Sequence, residues 1–102
     1  MKIHFERRGG FTGIPLRAVI DSEELEPGEA GRLRIHVESC GFFDLPEKLA
    51  GPAHSADRFE YRVTIEDARR AHTVEVGGGE IPAGLDGLLQ HLVRLARLSR
   101  LG

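Results

Sequence analysis

The chain has 102 residues, with 14 Lys and Arg against 16 Asp and Glu, five His, one Cys and a formal charge of −2. That length suits one domain, residues 1–102, around a single core, and a near-neutral balance with neither a basic stripe nor an acidic tail argues against a nucleic-acid partner. No apolar leader follows Met1, no run approaches the roughly 18 apolar residues of a membrane span, and the lone Cys40 suits a reducing compartment, so a cytoplasmic protein with no membrane partner is expected.

The opening "KIHFERR" alternates Ile3 and Phe5 against His4 and Glu6, the period of two that marks a half-buried strand. "GGFTG" follows as a glycine-rich loop, and "IPLRAVID" then sets Leu16, Ala18 and Ile20 on one face. Pro15 suits the beginning of an edge strand, because proline cannot donate to a ladder, and the two strands read as a hairpin. In "EELEPGEAGRLRIHVESCG", Pro27 fits a first helical position, acidic residues crowd the amino end and Gly41 fits the stop. A helix is predicted over about 27 to 40. Ala30, Leu33, Val37 and Cys40 share one side of it, and Ile35 points almost directly away.

"FFDLP" is a short connector whose Phe42, Phe43 and Leu45 read as core plugs, and "EKLAGPAHSADR" reads as a loop of breakers and small residues. "RFEYRVTIED" carries the clearest alternation, with Phe59, Tyr61, Val63 and Ile65 opposite Arg58, Glu60, Arg62, Thr64 and Glu66. "AHTVEV" alternates again, making a second hairpin through "DARR". The last segment, entered at Pro82, places Leu85, Leu88, Leu89, Leu92, Leu95 and Ala96 at helical spacing, with Leu98 and Leu101 outside the main apolar arc. The order ββαββα predicts an α+β fold: a four-stranded antiparallel sheet with two main helices packed on one face.

Catalytic and metal chemistry find little support in these residues. His36 and Cys40 lie four apart on one helix face, but a zinc centre wants three or four ligands, so a half-buried His beside a core Cys is the reading adopted. Ser55, His54 and Asp57 lack a nucleophile elbow and an oxyanion loop. "GGFTG" and "GGG" lack the Lys-Ser or Lys-Thr of a phosphate loop. No catalytic residue, no metal and no cofactor is therefore expected. Surface remains: Ile35, rimmed by Arg32, Glu38 and Ser39, has the composition of a small interface anchor, although isolated exposed apolar residues are common. Phe11, among glycines, can either plug a partner's pocket or fold back onto the core.

The runs "RRGGFTGIPLRAVID", "CGFFDLP", "DRFEYRVTIEDARRAHTVEV" and "IPAGLDGLLQHL", in this order over nearly the whole chain, resemble the emfourin family of small bacterial protein inhibitors of thermolysin-like metallopeptidases. The resemblance implies a non-enzymatic inhibitor, monomeric when free, whose partner is a thermolysin-like zinc peptidase that favours large apolar side chains beside its metal. Two mechanisms are compatible with it: a rigid patch on the first helix caps the active-site cleft, or the loop 9–13 enters the cleft with Phe11. The alternative from a different class is an adaptor or homodimeric module using Ile35, Leu98 and Leu101.

Overall fold

The computed structural model describes residues 1–9, 14–49, 59–77 and 81–101. The expected alternations become strands β1 (Lys2–Gly9) and β2 (Leu16–Asp21), the helix α1 (Pro27–Ser39), a two-residue strand β3 (Lys48–Leu49), strands β4 (Phe59–Asp67) and β5 (Arg70–Val76), and the helix α2 (Ala83–Leu101). Short 3-10 turns at Ser22–Glu24 and Phe42–Asp44 flank α1.

The sheet has five strands in the order β2-β1-β4-β5-β3. Both predicted hairpins form, and β1 and β4 pair antiparallel at the middle, Ile3 opposite Ile65 and Phe5 opposite Val63. The expectation of four antiparallel strands is corrected by β3, which adds a parallel edge to β5 with Lys48 opposite Glu75 and Leu49 opposite Val76. Glu75 N donates to Glu47 O at 2.7 Å and Gly77 N to Leu49 O at 2.9 Å. Two paired residues are too few to show a period of two, so the strand was invisible beside the breakers that follow it, and the sheet is mixed.

The alternation delivers one apolar face. Ile3, Phe5, Leu16, Ile20, Tyr61, Val63, Ile65, Val74 and Val76 are buried there, and α2 closes it with Leu85, Leu88, Leu89, Leu92 and Leu95. Each such side chain removed from water contributes about 1.5–3 kcal/mol before the entropy of ordering it. Phe59, on the same side of β4, lies beyond this cover at 37% exposed; the Arg7 guanidinium stacks on its ring at 4.1 Å. Of the three plugs expected in the connector between α1 and β3, Phe42 enters the core, while Phe43 and Leu45 are half-buried against it. Gly41 takes the left-handed conformation at φ 62°, which a residue without Cβ adopts at little cost, and this turns Phe42 into the core at 1% exposed. Phe42 meets His72 edge-on at 5.7 Å, while His72 Nε2 donates to Leu45 O at 2.7 Å.

Among the described residues the opposite face carries no helix, and it is charged. Its most regular row crosses all five strands as Arg17, Glu6, Arg62, Glu75 and Lys48, alternating in sign, because each is the register partner of the next. Arg17 Nε bonds Glu6 Oε2 and Arg62 Nε lies 3.7 Å from Glu75 Oε1. Exposed cross-strand pairs of this kind are weak, so they fix register more than they stabilise.

Candidate protein-binding face

Helix α1 begins with Pro27 at its first position, where the missing N–H costs no helical bond, and Glu29 in the first turn. Leu33 and Val37 are buried against α2. Two glycines of α2 face α1 at ordinary contact distance: a Cβ on Gly84 would lie 3.4 Å from Cys40 Cα, and one on Gly87 would lie 3.5 Å from His36 Nδ1. Cys40 and His36 are accordingly half-buried. The Cys40 thiol donates to Val37 O at 3.5 Å, and burial holds its pKa above the ordinary thiol value. It is therefore a protonated packing group, as the sequence suggests, and a poor nucleophile.

A polar clasp lies beside the apolar contact. Glu29 Oε2 accepts from His91 Nε2 at 2.9 Å, from Arg94 at 3.1 Å and from Arg32 at 3.4 Å. The His91 ring is T-shaped against His36 at 5.0 Å between centroids. Burial pushes His91 below its ordinary value, with the Glu29 hydrogen bond and charge recovering only part of that shift. For Glu29, burial pushes upward, but the hydrogen bonds and charges of Arg94 and His91 outweigh it and leave the carboxyl below its usual range. A further ion pair, Arg34 to Asp67 at 3.2 Å, ties α1 to the end of β4. Sequence reasoning passed over His91 except as one of five histidines; its place beside Leu88, Leu92 and Leu95 at helical spacing was the available signal.

Held on these sides, α1 turns Ile35 outward at 62% exposed, with Arg32, Glu38 and Ser39 also exposed around it. Arg32 is fastened through Glu29, so the patch stands on an ordered helix with an apolar centre and a charged rim. Phe11 lies outside the described residues, as do Ser55, His54 and Asp57. Among the described residues, no three His, Cys, Asp or Glu side chains are grouped so as to hold a metal ion, and no helix is long and apolar enough to cross a membrane.

Other large apolar side chains are exposed too, and Val19 at 62% and Leu98 at 53% border one groove. It has a volume of about 490 Å³ and includes Ile20, Leu25 and Leu95 in its lining.

The chain matches no curated protein and no solved structure. The family model Emfourin matches residues 5–93, from the middle of β1 to the middle of α2. Membership of this family points to a protease-inhibitor role. The chain belongs to the Emfourin family.

Proposed function

We propose that this protein inhibits a thermolysin-like zinc metallopeptidase by laying the outward face of α1 over the active-site cleft. Ile35 is the anchor, and Arg32, Glu38 and Ser39 form the rim around it. The observation that carries this reading is the exposure of a large β-branched apolar residue on a helix fixed from behind by Leu33, Val37 and the Glu29 clasp. An anchor presented on an ordered element loses little conformational entropy when it docks. Its backbone is also protected, because a helical segment keeps its amides in internal bonds and does not offer the extended conformation that a peptidase cleaves.

A peptidase that prefers large apolar side chains provides a subsite for Ile35, and the inhibitor excludes substrate without supplying a ligand to the zinc. A tight complex needs about 800 Å² from each partner, more than one side chain and its rim provide, so the loop 9–13 with Phe11 adds a second contact in this reading. The encounter takes place in the cytoplasm with a peptidase made by the same cell.

The test is a titration of a thermolysin-like peptidase with the purified protein while cleavage of a small peptide is followed. Stoichiometric loss of activity with the added chain uncut is the expected result. Undiminished activity across several such enzymes, or steady cleavage of the added chain, would overturn the reading.

A further inference from the structure

Strand β2 is the end strand of the sheet, hydrogen-bonded to β1 on one side. A single bond shows which of its backbone groups face the other side. Ser22 N donates to Met1 O at 2.9 Å, and in an antiparallel ladder the residues of one strand alternate between facing the neighbour and facing away. Leu16, Ala18 and Ile20 therefore turn their N–H and C=O groups toward β1, and Arg17, Val19 and Asp21 turn theirs to the open edge. Among the described residues no strand covers that edge.

Edge strands of natural proteins are commonly blunted by charge, proline or a bulge. Here Pro15 precedes the strand and Val19, 62% exposed, occupies its middle. The flanking charges are opposite: Arg17 two residues before Val19 and Asp21 two residues after. We propose that this edge pairs antiparallel with β2 of a second copy of the chain about a two-fold axis, Val19 opposite Val19, with Arg17 of each copy facing Asp21 of the other.

Backbone and side chains select the same register. With Val19 opposite itself, the three outward-facing residues of one copy meet the three of the other, and both charge pairs are opposite in sign. Sliding by one residue sets outward groups against groups already bonded to β1. Sliding by two restores the hydrogen bonding but places each opposing charge against Val19. Both charged groups keep capacity for a new partner: Arg17 uses Nε on Glu6 and retains its two terminal nitrogens, and Asp21 uses Oδ1 on the amide of Glu23 at 3.0 Å and retains Oδ2. The inward side chains Leu16 and Ile20 stay buried in each copy's own core, so the contact is made by the backbone edge and the outward row. Two five-stranded sheets become one. The contact is short, at the weak and transient end of protein interfaces, so the copies separate on dilution.

Sedimentation equilibrium from about 10 µM to about 1 mM tests this, because mass action moves a weak pair into the dimer over such a range. Wild type is expected to approach the dimer mass at the top of the range, while Val19→Pro, which removes an edge-facing N–H and no bond to β1, stays monomeric with an unchanged circular dichroism spectrum. Should Val19→Pro fail to fold, charge variants decide. Arg17→Glu alone and Asp21→Lys alone place like charges opposite and stay monomeric, whereas an equimolar mixture restores both attractive pairs and associates. A wild type that is monomeric at every concentration, a dimer that persists in Val19→Pro, or a mixture no more associated than its components overturns the proposal. A monomer whose peptidase inhibition is lost in Val19→Pro would likewise overturn it and assign the edge to a strand of the peptidase.

Discussion

His91 Nε2 lies 2.9 Å from Glu29 Oε2, its side chain only 5% exposed, and the pair joins the first turn of α1 to the middle of α2. The groups facing His91 are Glu29 and His36 from α1 and Arg94 from its own helix. A proton added to His91 gains from Glu29 but is disfavoured by burial, by His36 and by Arg94.

The pH dependence follows in sign. The folded-state pKa of His91 is depressed from the ordinary 6.5, so the unfolded chain binds that proton more readily. This contribution to stability is complete above pH 6.5 and is lost as pH falls through the folded value. Glu29, depressed from the ordinary 4.5, adds a second loss of the same sign further into acid. Urea unfolding midpoints of wild type should fall in two stages below neutrality. His91→Gln, which keeps a donor for Glu29 and removes the titration, should abolish the first stage and retain the second. An unchanged upper stage in His91→Gln would transfer that titration to another group.

Ile35→Asp separates binding from folding. Residue 35 is exposed on the side of α1 opposite Leu33 and Val37, so a carboxylate there is solvated and the unfolding midpoint should move little. Loss of an anchor of ordinary hot-spot size weakens inhibition by about 2 kcal/mol, close to 30-fold in the inhibition constant. Measuring both quantities on one preparation checks this, and equal inhibition by the variant and wild type removes Ile35 from the interface.

The turn between β4 and β5 stores a removable strain. Ala68 has φ 56°, a left-handed conformation that costs a residue with a Cβ about 1 kcal/mol or more. Ala68→Gly should raise stability by about 0.5–1 kcal/mol after the extra freedom of the unfolded glycine is counted. Thermal unfolding reports this as a rise of a few degrees, and a fall would show that the turn is held by something other than its backbone preference.

The long elements were legible because their burial is one-sided. Tyr61, Val63 and Ile65 alternate in sequence because they alternate in the sheet, and Leu88, Leu92 and Leu95 repeat because α2 has one buried stripe. β3 was not legible, since a parallel pairing of two residues is dictated by where the Phe42 plug and Pro46 deliver the chain rather than by local pattern. The outward direction of Ile35 could be read from the helical period alone. The Glu29, His91 and Arg94 clasp could not: Glu29 and His91 are 62 positions apart, and the packing of α2 against α1 brings them together.

The row Arg17, Glu6, Arg62, Glu75, Lys48 on the helix-free face has signs that read the same from either end. Laid face to face with its own copy, about a two-fold axis that superposes the rows, it sets each cation over a cation and each anion over an anion, an opposition that destabilises. The sheet thus carries two contrary instructions toward its own kind, repelling across its flat surface while its β2 margin matches end to end. A crowd of these molecules is steered away from stacking and toward lengthening in the plane, and since β2 is a single margin with two-fold matching, that growth stops at two.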